Sequence, residues 1–213
     1  MSSILLASQF KYLEKFRNES DPLLLEMESF AKEKSIPILS RDSAELLELL
    51  VNICSPKRVL ELGTAIAYSS IRIARNLKKK SVVHTIEKSE DNIVKAKENI
   101  SKSGLHDKII LYAGNALEIV PRLDKKYDFI FLDADKNDYK KLFDYSMILL
   151  KKGGILFVDN LLWHGYAAAK TVPKNYRSSA KIIREFNEIF SSQPNLKTTI
   201  LSVGDGIGIG VKE

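Results

Sequence analysis

From residue 58 onward the chain alternates short β-branched apolar runs with longer amphipathic stretches, and this alternation constrains the fold more than any other feature. Residues 58–62, 82–87, 109–113, 129–133 and 155–159 read as strands. Each leads through a loop into a helical stretch, at 69–77, 90–103, 116–123, 139–150 and 178–190. Strands so uniformly apolar are buried on both faces, so five βα units predict a parallel sheet with helices on either side. Two last runs, 198–203 and 207–211, are separated only by Gly204-Asp205-Gly206 and predict an antiparallel hairpin at the sheet edge. The expected class is therefore α/β, a seven-stranded and mostly parallel sheet. Such a sheet takes its ligand at the carboxyl ends of its strands.

Residues 1–54 form a different kind of segment, an N-terminal helical extension ahead of the 55–213 domain, the two making one structural domain. Apolar side chains recur at helical spacing over 9–34 and 42–54, as in Leu46, Leu47, Leu50 and Ile53. Pro37 makes residues 35–40 an extended linker. With 45% hydrophobic and 28% charged residues the composition excludes a disordered or fibrous chain. Its longest apolar runs fall far short of the roughly 20 residues of a membrane span. The N-terminus shows no basic region followed by an apolar one, so no secretory signal is expected. The single cysteine, Cys54, follows apolar residues 49–51 and 53 and is expected in the core. One cysteine forms no intramolecular disulfide, which suits a reducing, cytoplasmic setting.

The ends of the first three strands suggest a nucleoside site. Glu61-Leu62-Gly63-Thr64-Ala65-Ile66-Ala67-Tyr68-Ser69 is a small-residue turn into a helix, where backbone can approach a ligand and free N–H groups face an anion. It lacks two of the three glycines of a dinucleotide fingerprint. Glu87 ends the second strand 24 residues after Gly63, where a carboxylate can accept from vicinal ribose hydroxyls. Gly114-Asn115-Ala116 at the end of the third strand can frame an adenine edge.

The order Glu-Leu-Gly-Thr, Thr85-Ile86-Glu87, Gly-Asn-Ala, Phe131-Leu132-Asp133-Ala134-Asp135-Lys136 and Val158-Asp159-Asn160 resembles the class I S-adenosylmethionine-dependent O-methyltransferases of the catechol and caffeoyl-CoA type. The resemblance implies a Rossmann-like methyltransferase fold and S-adenosylmethionine contacts at Ile38, Glu61, Gly63, Ser69, Glu87, Asn115, Ala116 and Asp133. It places Ser69 on the methionine carboxylate and Glu87 on the ribose. Ala67 stands where that family has glycine, and Asn115 where it often has aspartate. The Asn115 carbonyl can still accept from an adenine amino group.

Asp133 closes the fourth strand and Asp159-Asn160 the fifth, so neighbouring parallel strands bring two carboxylates and an amide oxygen together. That oxygen-only set leaves about three of six octahedral positions for water and substrate, as Mg²⁺ prefers; the alternative is that the acids merely cap helices. The resemblance implies metal ligation by the same three residues. A metal-chelated hydroxyl with a neighbouring oxygen becomes acidic. Lys136, one loop step beyond Asp133, is positioned to take or orient its proton, and the resemblance makes it the general base. Trp163, His164 and Tyr166 are expected at the substrate mouth.

The net charge of +6 is local: residues 136–184 hold 10 basic and 3 acidic side chains. On a helix, Lys174, Arg177, Lys181 and Arg184 form one stripe, extended by Lys140, Lys141 and Lys170, that either holds a polyanion or is a solvated face. Ile36-Pro37-Ile38, the 63–69 loop, Asp159-Asn160-Leu161-Leu162 and Val203-Gly204-Asp205-Gly206 resemble the bacterial tRNA 5-hydroxyuridine methyltransferases, which implies the tRNA anticodon loop as acceptor. Asp135 matches the small-molecule branch instead and keeps a small catechol-like acceptor open. A homodimer through the N-terminal helices is implied by the family.

Overall fold

The computed structural model describes residues 7–17 and 19–213; residues 1–6 and Asn18, which belong to the expected extension, lie outside the described residues. Three helices come first: α1 (Ala7–Glu14), α2 (Pro22–Lys34) and α3 (Arg41–Cys54). The expected helix over 9–34 is therefore broken. Asp21 caps α2 by accepting from Leu24 N at 3.0 Å, and Pro22 occupies the first helical turn, where its missing N–H costs nothing. Cys54 is exposed rather than in the core. Helical periodicity puts Ala44, Leu47 and Val51 on the buried face of α3, while Leu49 and Ile53 project outward at 56% and 69% exposure.

The remaining elements alternate as the apolar runs require: β1 (Arg58–Leu62), α4 (Tyr68–Asn76), β2 (Val82–Glu87), α5 (Glu90–Ser103), β3 (Ile109–Ala113), α6 (Ala116–Ile119), β4 (Tyr127–Leu132), α7 (Tyr139–Leu149), β5 (Leu150–Val158), α8 (Arg177–Ser191), β6 (Leu196–Leu201) and β7 (Ile207–Lys212). Two differ from expectation by more than two residues, for local reasons. Pro121 cannot donate to a fourth-residue carbonyl, so the helix over 116–123 ends early and continues as a 3₁₀ turn, Val120–Arg122. Strand β5 starts five residues sooner because Gly153 and Gly154 let it pass close to β4. A Cβ at residue 154 would press on the Asp128 carbonyl at 3.0 Å.

The seven strands run in the order β3-β2-β1-β4-β5-β7-β6, with β1 to β5 parallel and β7 antiparallel to both neighbours. Alternation within strands splits the core in two. Val59, Phe129, Phe131, Ile155 and Phe157 face α3, α4 and α5, together with Leu24, Met27 and Ala31 of α2. Leu60, Leu62, Ile130, Leu132, Leu156 and Val158 face α7 and α8. The strand order reverses between β1 and β4, which opens a crevice at their carboxyl ends. Among the described residues no helix is long and apolar enough to cross a membrane.

Candidate active site

That crevice is a cavity of about 710 Å³. One side is lined by Ile38, Gly63, Ala65, Glu87, Gly114, Asn115 and Ala116, the other by Asp133, Lys136, Asp159, Asn160, Trp163 and His164. Residues 37 and 38 reach it because the linker between α2 and α3 runs extended across its rim.

On the first side, Gly63 turns at φ +109°, and Ala65 and Ala67 follow in the left-handed region at 45° and 70°. Left-handed alanines cost about 1 kcal/mol or more each, so this loop is held by its surroundings. Glu87 is one clamp: it accepts from Ala65 N at 2.7 Å and from Lys88 N and Ser89 N at 2.9 Å. Glu61 is the other, but from beneath. It is fully buried under the loop, accepts from the Ser69 and Ser70 hydroxyls and from Thr85 Oγ1 at 2.5 Å, and does not line the cavity. Burial pushes its carboxyl up to about 7 against the pull of these hydroxyls, and the Asp133 charge adds to the rise. Ser69 is likewise buried, with its hydroxyl turned to Glu61 rather than to the cavity. Asn115 caps α6 by accepting from Leu117 N at 2.9 Å while still lining the cavity.

On the second side, the register of β4 against β5 pairs Leu132 with Val158, so Asp133 and Asp159 emerge together. Burial, followed by the Asp133 charge, holds the Asp159 carboxyl well above its usual range. Two carboxylates repelling one another in a buried place fit a hard cation, with Asn160 as a neutral oxygen donor. Lys136 Nζ donates to Asn160 Oδ1 and Tyr139 Oη, each at 2.6 Å, and stands 3.5 Å from Asp133 Oδ1. Trp163 covers it, with the ring centroid 5.3 Å from Nζ.

The basic stripe is not a free rim. Lys174 and Lys181 are exposed, but Arg184 gives its guanidinium to the carbonyls of Tyr166, Ala167 and Ala169, each at 2.8 Å. Arg177 Nε donates to Val172 O at 3.1 Å. None of the four lines the cavity; the α8 end turned toward it contributes Ser178 and Ser179, preceded by Asn175. Only Arg177, Lys181 and Arg184 lie on α8, since Lys174 falls in the 3₁₀ turn Lys174–Tyr176 before it, and helical spacing did not show that a neighbouring loop folds onto the arginines. Tyr166 also stays out of the lining, its ring tilted 32° against that of Tyr176 with centroids 5.0 Å apart.

The O-methyltransferase family model matches residues 15–213. The chain belongs to the O-methyltransferase family. It is 32% identical over 202 residues to a catechol O-methyltransferase of Niastella koreensis, covering 92% of this chain and 87% of that one. It is 33% identical over 181 residues to a caffeoyl-CoA O-methyltransferase of Populus kitakamiensis, covering 81% and 76%. The crystal structure of a Bacillus cereus O-methyltransferase in complex with SAH superposes with a TM-score of 0.83 at 28% identity, covering 95% of this chain and 96% of the other. As a member, this protein is an S-adenosylmethionine-dependent O-methyltransferase.

Sequence reasoning passed over two residues of this O-methyltransferase. Tyr139, fully buried, accepts from Lys136 Nζ and donates to Asp159 O at 3.0 Å, tying the lysine to the β5 end. Asp205 looked like a hairpin-turn residue, yet its carboxylate accepts from His164 N across the chain. An aromatic one helical turn after Lys136 was a usable signal for the first; nothing local marked the second.

Proposed function

We propose that this O-methyltransferase uses a divalent cation such as Mg²⁺ to methylate one hydroxyl of a small aromatic acceptor carrying two adjacent oxygens, as in catechols and hydroxycinnamoyl esters. The observation that carries this reading is the meeting of Asp133, Asp159, Asn160 and Lys136 on one wall of the cavity whose other wall is the Gly63–Glu87–Asn115 loop set. Asp133, Asp159 and Asn160 would hold the cation, which supplies the charge that makes a chelated hydroxyl acidic. Glu87, Asn115 and the bare backbone at Gly63 would hold S-adenosylmethionine, the methyl donor. Lys136 takes the acceptor proton, oriented by Tyr139 and Asn160. Trp163 and His164 supply aromatic faces against the acceptor ring. Catalysis then rests largely on placing the acceptor oxygen in line with the donor methyl.

The named relatives support a small acceptor. The tRNA anticodon reading drew on a motif resemblance and on the stripe of Lys174, Arg177, Lys181 and Arg184, and the engagement of both arginines with loop carbonyls weakens the second support. The exposed apolar residues Tyr12 on α1 and Phe16 in the turn after it, with Leu49 and Ile53 on α3, support a homodimer through the N-terminal helices. Assays with 3,4-dihydroxybenzoate, caffeoyl-CoA and tRNA carrying 5-hydroxyuridine at the wobble position, each with and without EDTA, test the reading. Methylation of either small acceptor that is lost in EDTA and restored by Mg²⁺ supports it. Activity on tRNA alone, or turnover undiminished by EDTA, overturns it. Sedimentation velocity checks the dimer.

A further inference from the structure

The segment between β5 and α8 carries Trp163 and His164 to the cavity in an unusual backbone conformation. Both residues are left-handed, with φ of 48° and 57°. Two successive non-glycine residues of this kind cost about 1–2 kcal/mol each and persist only where neighbours impose them. Here the neighbours grip the backbone as well as the side chains. Arg184 Nε donates to Ala167 O, and its Nη2 to Tyr166 O and Ala169 O, all at 2.8 Å. Asn187 Nδ2, one turn further along α8, donates to Leu161 O at 2.8 Å. From the opposite side the Asp205 carboxylate accepts from His164 N, while Leu162 N donates to Asp205 O at 2.8 Å. Trp163 Nε1 donates to Ser179 Oγ at 2.7 Å.

We infer that Arg184 is a positioning residue for acceptor selectivity: by holding the carbonyls of Tyr166, Ala167 and Ala169, just beyond the two aromatics, it fixes the wall that Trp163 and His164 present to the acceptor. A guanidinium is suited to this role because its donors diverge in a plane at fixed angles, and a lysine ammonium cannot satisfy three carbonyls in that geometry. The consequence for chemistry follows from Trp163 lying over Lys136. A wall that yields lets the acceptor ring rotate, so either of two adjacent hydroxyls can meet Lys136 and the methyl donor. A wall that is fixed favours one. The selectivity clause rests on the small-acceptor reading above; the positioning clause does not.

Trp163 is the chain's single tryptophan, so its fluorescence reports this wall alone. The experiment compares the full-length protein with Arg184→Ala, Arg184→Lys and, as a control on the exposed side of α8, Glu188→Ala. Acrylamide quenching and anisotropy of Trp163 are measured without acceptor, SAH affinity by calorimetry, and the ratio of the two monomethyl products from 3,4-dihydroxybenzoate by chromatography. Arg184→Ala is expected to raise the quenching constant about twofold or more and lower the anisotropy, since a released loop samples open states. It is expected to leave SAH affinity within about twofold and shift the product ratio by about threefold or more, the size of a small change in pocket contacts. Arg184→Lys falls between Arg184→Ala and wild type, and Glu188→Ala matches wild type. Should Arg184→Ala fail to fold, Arg184→Lys decides by the same readings. Unchanged quenching and anisotropy overturn the positioning role. A freed Trp163 with an unchanged product ratio overturns the selectivity role. If wild type leaves both 3,4-dihydroxybenzoate and caffeoyl-CoA unmethylated, the acceptor reading and its selectivity clause fall, while fluorescence still decides the positioning; if only caffeoyl-CoA is methylated, the product ratio is read on that acceptor.

Discussion

Gly63 and Asp133 are in backbone contact: a Cβ built on Gly63 would overlap the Asp133 carbonyl oxygen and lie 2.8 Å from its carbonyl carbon. The turn proposed to offer bare backbone to the cofactor therefore leans directly on the residue that opens the candidate metal site. Since Gly63 also sits at φ +109°, no side chain fits there without moving β1 or β4. Gly63→Ala is expected to destabilise the fold by about 2–4 kcal/mol from overlap and strain. SAH binding should also become undetectable. Thermal melts and calorimetry check both.

Lys136 is expected to act on the proton and not on the cofactor. Its ammonium faces Asn160 and Tyr139, away from the Glu87 side of the cavity. Lys136→Ala should lower kcat by about 10²- to 10⁴-fold, the usual contribution of a general base. SAH affinity should stay within about threefold of wild type. Steady-state kinetics beside calorimetry separate the two.

Glu61 links stability to pH. Burial raises its carboxyl from 4.5 to about 7, so the folded chain binds a proton that the unfolded chain releases more readily. The resulting stabilisation is complete below about pH 4.5 and is lost as pH rises through 7. Glu61→Gln, which cannot ionise, should flatten this slope. Urea denaturation of both forms between pH 5 and 8 should show the wild type losing on the order of 1–3 kcal/mol relative to the variant.

Arg72 fastens the N-terminal helices to α4. Its side chain is 5% exposed and meets Glu19, Glu48 at 2.8 Å and Glu28 at 3.9 Å, while Nη2 donates to Tyr68 Oη at 2.9 Å. Removing it takes the buried partner from Glu19 and Glu48, while Glu28 keeps Arg41 at 2.9 Å. Arg72→Ala is expected to cost about 3–5 kcal/mol in denaturant unfolding, as for other broken buried pairs. Because Tyr68 begins α4 beside Ser69, SAH affinity should fall as well.

Most of the fold was legible because strands buried on both faces must be apolar along their whole length, and the helices between them must be amphipathic. The ends of β1, β2 and β3 were read to the residue for the same reason, and the hairpin was marked by Gly204-Asp205-Gly206. Boundaries failed where one residue decides. Asp21-Pro22 split a helix, Pro121 shortened another, and Gly153-Gly154 let β5 begin early. The exposure of Cys54 was not legible, since an apolar stretch of sequence does not say which face of its helix is covered.

The sequence by itself determined the sheet, the end of every parallel strand to within one residue, and therefore which residues could meet at the crevice: Gly63, Glu87 and Asn115 on one wall, Asp133, Lys136, Asp159 and Asn160 on the other. These follow from chain direction, because parallel strands all deliver their next residue to the same edge. Only the tertiary structure decided what each charge does there. Glu61 went beneath the loop to hold Ser69 and Ser70, and Arg184 turned from an expected anion contact into a clamp on Tyr166, Ala167 and Ala169. Periodicity fixes the face on which a side chain lies, but its partner is whatever distant backbone folds against that face with an unmet hydrogen bond.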